Sequence, residues 1–172
     1  MKRFLTSITA ALALISSLPA QADAEKVCGK VTNHYGPFDY RTANAQQRYL
    51  VEGAHFDEGV RTLTKGKTGP FGGDIDYTLS VFPNHPLALI VMERLTEKEK
   101  KAVPTGARYG MDCWFDRALR FRPDDHVPRL LYVDYLIRKQ RLEEGMPFIL
   151  DCAPTLGAYT ADVGYSGALG HN

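Results

Sequence analysis

Phe115-Asp116-Arg117-Ala118-Leu119-Arg120-Phe121-Arg122-Pro123-Asp124-Asp125 is the stretch on which the fold turns. Pro123 cannot continue a helix and biases the residue before it away from helical geometry, while Asp124-Asp125 are placed to cap a new helix. The segment after them is amphipathic: Arg129 to Lys139 places Leu130, Leu131, Tyr135 and Ile137 at helical spacing. Upstream the pattern recurs. Thr78-Leu79-Ser80-Val81-Phe82-Pro83-Asn84-His85 aligns with Ala118 to Asp125, and an amphipathic run from Leu87 to Leu95 comes after it too. The two copies start 40 residues apart, at 78 and 118. Such units cannot bury their apolar faces alone and must stack. Helical spacing holds from Asp74 to about Leu142, with Ile75, Leu79 and Phe82, then Leu87, Ile90 and Val91. The composition of Thr96 to Gly106 predicts a charged, Pro- and Gly-bearing linker between the two units.

Phe115 to Pro123 resembles the closing half of a tetratricopeptide repeat: an aromatic, an alanine three later, a proline five after that. The small Ala118 lets two helices approach, and the aromatic fills the groove between units. Leu131 to Leu136, then Lys139 to Glu144, resemble the opening helix and the turn that ends it. Met111 and Gly145 stand where the repeat prefers Ala, Gln140 stands where it prefers Gly, and no Trp opens either first helix. A wider likeness covers residues 26–144. Tyr35-Gly36-Pro37-Phe38-Asp39-Tyr40-Arg41, Val51 to Phe56, Gly73 to Leu79 and Phe82 to Pro86 are similar to a group of exported bacterial tetratricopeptide-repeat proteins of unassigned activity. That resemblance implies a periplasmic location and no known catalytic residues.

Lys2-Arg3, the uncharged run Leu5 to Leu18 and Pro19-Ala20-Gln21-Ala22 form a secretory signal peptide with cleavage after Ala22. The run is shorter than the roughly 20 apolar residues that span a bilayer, so no stable membrane insertion is expected afterwards. Cleavage leaves residues 23–172, with 19 Lys+Arg against 20 Asp+Glu. So even a balance, with no basic stripe, excludes nucleic acid as the organising partner. In the whole chain of 172 residues, 44% hydrophobic and 24% charged, composition is that of a globular domain.

Residues 23–73 read as an irregular, aromatic- and Gly-rich N-terminal extension, with short helices fitting Thr42 to Tyr49 and Phe56 to Thr64. Residues 74–152 read as the helical repeats. Residues 153–172 contain no Lys, Arg or Glu and read either as a truncated or frame-altered terminus or as a capping tail. Three cysteines allow three pairings; Cys28–Cys113 is favoured because it ties the extension to the helical body and closes a long loop. Three small buried hydrophobes are the alternative.

Candidate chemistry is sparse. His34, His55, His85, His126 and His171 show no zinc-site spacing, so no metal or other cofactor is expected. His85 and His126 fall at inter-helix turns and read as caps, as do Asp74 and Asp76 at a helix start. Gly66-Lys67-Thr68-Gly69 lacks the first glycine of a phosphate loop, Arg61 standing in its place. No serine has a nucleophile-elbow context, and Trp114 reads as core. A surface is left as the carrier of function. Stacked hairpins line a concave side with their first helices, which makes Arg94, Arg129, Tyr132 and Tyr135 the expected contacts for a protein or peptide partner. The expectation is therefore a mostly α, non-enzymatic periplasmic interaction module. A small secreted hydrolase built on His34, Asp39 and His55 is the alternative, and a truncated product without stable function a third.

Overall fold

The turn at residues 82–85 recurs in three dimensions at 122–125. The computed structural model describes residues 25–148. Phe82 closes one helix at φ −125°, ψ 79°, and Arg122 closes another at φ −137°, ψ 81°. Their amides donate to Thr78 O at 2.8 Å and Ala118 O at 3.0 Å. His85 and Asp125 then cap the next helices, their side chains accepting from the amides of Ala88 and Val127.

The correspondence runs further in both directions. In chain order the helices are α1 (Ala45–His55), α2 (Glu58–Arg61), α3 (Phe71–Val81), α4 (Pro86–Glu99), α5 (Met111–Phe121) and α6 (His126–Arg138). Shorter helical segments cover 25–28 and 142–148, and no strand occurs among the described residues. α3 and α5 each have 11 residues and occupy positions 40 apart. α4 is capped by the left-handed Lys100 at φ 53°, and α6, capped by Lys139, is followed by the left-handed Gln140 at φ 60°. In each case the next amide reaches back to the helix: Lys101 to Thr96 O at 3.2 Å, Arg141 to Leu136 O at 2.8 Å. Backbone and caps thus repeat from 70–101 onto 110–141. α4 runs on through Glu99, so the connection is shorter than the expected linker of 96–106.

α3 packs between α1 and α4, and α5 between α4 and α6, while α4 and α6 also touch. One core joins Phe56, Ile75, Leu79, Leu89, Trp114 and Leu136, and a smaller one gathers Val51, Val81 and Phe82 under Tyr35, Phe38 and Tyr40. Trp114 is 1% exposed, as expected for core, and its Nε1 donates to Tyr109 O. The first expected helix of the N-terminal extension is Ala45–His55 and the second is only Glu58–Arg61. Phe56, Val60 and Leu63 carry this region into the main core.

The N-terminal segment is fastened in two places. Cys28 and Cys113 form the favoured disulfide, Cα atoms 5.0 Å apart. Beside it the guanidinium of Arg117, a residue 1% exposed, donates to the carbonyls of Cys28 and Lys30 and lies against the rings of Tyr109 and Trp114. Arg120 donates to Gly29 O. Gly29 sits at φ +69° against the Tyr109 hydroxyl, where a side chain has neither the conformation nor the room. At the second place, Asn84 is fully satisfied: its Nδ2 donates to Asp39 Oδ1 (2.7 Å) and Asp125 Oδ2 (2.8 Å), and its Oδ1 accepts from Tyr40 N. Asp39 also accepts from Arg41 and Arg122, so segment 39–41 is stitched to both inter-helix turns. The Arg41 guanidinium holds the Asp39 carboxyl well below the usual carboxylate range, with Asn84 and Arg122 adding to it against the cost of burial.

Asp74 and Asp76 do not cap their own helix, whose start at Pro70 has no side-chain cap. Asp74 instead accepts from the amides of Lys67 and Thr68 and from the Thr68 hydroxyl, and Asp76 accepts from the amide and guanidinium of Arg108. They hold loops because α3 begins three residues earlier than its sequence pattern indicates. The expected signal segment 1–22, Cys152 and the expected tail 153–172 lie outside the described residues. No described helix is long and apolar enough to cross a membrane.

Candidate functional site

Helical spacing sets the outward face of α4. Leu87, Ile90, Arg94 and Glu97 lie at i, i+3, i+7 and i+10. Leu87, Arg94 and Glu97 are exposed and Ile90 is half-buried. Forty residues on, α6 exposes Val127, Leu130, Asp134 and Ile137 at the equivalent positions. Leu130 is 49% exposed and Val127 47%. Because α4 and α6 pack on each other and repeat the same geometry, the two stripes lie side by side, apolar at the N-terminal ends of the helices. Ion pairs bridge the helices at Arg138–Glu93 (2.9 Å) and Lys139–Glu97 (3.6 Å). Arg94 makes no hydrogen bond or ion pair with another described residue, which leaves its guanidinium available on this face.

Of the four expected contacts only Arg94 has that character. Arg129 donates to Pro123 O at 2.6 Å and braces the turn. Tyr132 stacks on Phe115 with centroids 4.9 Å apart and packs on Phe148; burial, with Asp112 nearby, pushes its hydroxyl up to about 12. Tyr135 is 8% exposed and belongs to the core, which corrects the expectation of an exposed contact. Tyr132 and Tyr135 face α5 through Phe115, and Tyr132 also meets Phe148, while Arg129 turns to the carbonyl of Pro123. Sequence spacing groups the three; only the packing decides which way each faces.

The hydrolase constellation is not assembled. His34 and His55 both lie against Tyr77, at 6.1 and 4.2 Å between ring centroids, and His55 Nδ1 is 3.3 Å from Asp74 Oδ1. Asp39 is elsewhere, locked between Arg41, Asn84 and Arg122. The Gly66–Gly69 loop does turn its amides toward an anion, but that anion is the Asp74 carboxylate. His126 is the exposed first residue of α6, and Asp125 is the cap instead. No group of three or more His, Cys, Asp or Glu among the described residues is placed to hold a metal ion.

His85 is the cap its position predicts, and more. It is 2% exposed, stacks on Tyr40 with centroids 3.9 Å apart and meets Phe56 edge-on at 5.1 Å. Its Nδ1 accepts from Ala88 N, so the neutral ring carries its proton on Nε2. That nitrogen is buried and faces Glu52 Oε1 at 3.4 Å, a contact that falls short of full hydrogen-bond geometry. Glu52 Oε1 instead accepts from the Tyr40 hydroxyl at 2.9 Å. Burial pulls the His85 imidazole below its ordinary value, with Glu52 opposing. These side chains, with Arg61 and Leu87, border a cavity of about 160 Å³. A wider open cleft of about 620 Å³ lies where the end of α4, the 100–103 loop, the start of α5 and α6 meet. No family model, no curated protein and no solved structure matches the chain.

Proposed function

We propose that this chain is a non-enzymatic interaction module of the periplasm, built as tetratricopeptide-like hairpins, that holds an extended segment of a partner protein against α4 and α6. One observation carries the reading. The same outward positions recur in both units, exposed Leu87 with exposed Val127 and half-buried Ile90 with exposed Leu130, flanked by the free guanidinium of Arg94. Buried equivalents would speak for packing; exposed apolar equivalents on two touching helices speak for a surface that is covered by something else. The disulfide is in keeping with an oxidising compartment and with export by residues 1–22.

A charge placed on the stripe tests this. Wild-type protein and Leu130→Glu are immobilised and exposed to periplasmic extract, with the circular-dichroism melt of each recorded. A protein retained by the wild type and lost from the variant, at unchanged melting temperature, is the expected result. Equal retention by both overturns the assignment of the face.

A further inference from the structure

Three cysteines leave one over once Cys28 and Cys113 are joined, and Cys113 lines the open cleft at the start of α5. We propose that the Cys28–Cys113 bridge is a redox-reversible fastening, opened by a thiolate that attacks Cys113 and closed again by Cys28. The incoming sulfur bonds to Cys113 Sγ as the bond to Cys28 breaks. Cys28 leaves with the bonding pair and takes a proton from solvent. One disulfide replaces another, so the step needs a thiol and no oxidant. That thiol is a free monothiol or Cys152 of the same chain. The inference is independent of the α4–α6 face.

Access selects the sulfur that is attacked. Cys28 is 7% exposed, whereas Cys113 is half-buried and borders the cleft of about 620 Å³. Charge assists both partners of the exchange. Cys113 is the third residue of α5, whose start has no side-chain cap, so the helix end favours negative charge on its sulfur. The Arg117 guanidinium, donating to Cys28 O at 2.9 Å, brings positive charge beside the departing sulfur. The carboxylates of this turn are already paired, Asp112 with Arg141 at 2.9 Å and Asp116 with Arg120 at 2.7 Å. Across the cleft Glu97 is paired with Lys139, and Lys100 and Lys101 add positive charge to the rim. Closure depends on what holds the two cysteines together after the bond breaks. Arg117 grips the carbonyls of Cys28 and Lys30, Arg120 grips that of Gly29, and neither contact needs the bridge. Trp114, Phe115 and Ala118 keep α5 in the core. Cys28 therefore meets Cys113 again at a high effective concentration. An attacker from the same chain has the reach as well. Phe148 packs on Tyr132, whose hydroxyl donates to Asp112 beside Cys113, and the four residues from Phe148 to Cys152 span up to about 14 Å.

Reduced glutathione is the probe. The oxidised wild type and Cys152→Ser are incubated with it at neutral pH, quenched in acid, alkylated and mapped by mass spectrometry. Cys152→Ser leaves the bridge untouched, and its circular-dichroism melt verifies the fold. The expected result in this variant is glutathione joined to Cys113 in about tenfold or greater excess over Cys28, at a rate that follows glutathione concentration and ignores urea below the unfolding transition. Removing the glutathione restores the Cys28–Cys113 bridge. In the double variant Cys28→Ser, Cys152→Ser, loaded with oxidised glutathione, the adduct on Cys113 stays in place. The wild type separates the two thiols: a Cys113–Cys152 link identifies the internal one, and the glutathione adduct without that link identifies the free one. Exchange that appears only as urea unfolds the chain overturns the proposal and makes the bridge a permanent one. Equal labelling of Cys28 and Cys113 overturns it too, as does an opened bridge that fails to re-form when the glutathione is withdrawn.

Discussion

Lys100 and Gln140 stand just past equivalent helices in the left-handed conformation, at φ 53° and 60°. A side chain with a Cβ is disfavoured there by roughly 1 kcal/mol relative to glycine. Gln140 is also the position where the repeat resemblance prefers Gly. Gln140→Gly therefore raises stability by about 0.5–1 kcal/mol in chemical denaturation, and Lys100→Gly does the same independently, since the two lie on different helices. A loss of stability in either variant means that the side chain contributes a contact larger than the strain.

At the scale of elements, α5 is the clamp. It carries Cys113, Arg117 and Arg120, and all three grip residues 28–30. The two cysteines are separated by 85 residues, so chain-entropy reasoning assigns the crosslink on the order of 4–5 kcal/mol. Replacing both cysteines with serine lowers the melting temperature by roughly 10 °C or more, and most of the loss comes from the unfolded state. The helix stays formed in the variant, because Trp114, Phe115 and Ala118 hold it to the core without the bridge. A drop of only a degree or two refutes the entropic account and gives the fastening to Arg117. The same element logic explains Tyr132 and Tyr135: α6 has two sides with apolar residues, and α5 selects which becomes interior.

For the molecule as a whole, the polar stitch at Asp39 and the cap at His85 make stability depend on acid in two steps. His85 is neutral in the folded chain, burial having moved it below its ordinary 6.5 against the pull of Glu52, with Tyr40 and Arg61 also facing it. Its contribution is complete above pH 6.5 and falls as the pH drops below that value. Asp39 is lowered from 3.8, so its contribution is complete above about pH 4 and is lost as the pH falls through the folded-state value. Glu93, raised by burial, works weakly in the opposite sense. The melting temperature is accordingly level above about pH 7, declines as the pH falls below the ordinary value of His85, and falls further below about pH 4 as Asp39 is protonated. Asp39→Asn costs roughly 1–3 kcal/mol at neutral pH and flattens the last step, and His85→Ser, which keeps a capping side chain, flattens the first. A pH profile unchanged by both variants refutes the assignment.

The amino-acid order by itself determined what is local: two copies of one punctuation, Phe82 to His85 and Arg122 to Asp125, with helices around them, and a cysteine pair worth closing. Proline chemistry, capping and 3.6-residue spacing act within a few residues, so they are legible in a linear string. The mostly helical architecture came from those signals; among three possible cysteine pairings, only the tie to the helical body and the entropy of closing a long loop favour Cys28–Cys113, and the fold is what pairs two residues 85 apart. Tertiary structure decided what depends on neighbours far along the chain. Asp39 is a candidate catalytic group in the linear string and a structural one in the fold, because Asn84 and Arg122, 45 and 83 residues away, close on it. Asp74 loses its capping role because α3 begins three residues earlier and turns it toward the Gly66–Gly69 loop. His85 is a cap and nothing more until folding of α1 brings Glu52 to its other nitrogen and the helix's capping residue Phe56 against its ring. Burial is a property of the assembled core, and periodicity names the residues that share a side without saying which side is covered.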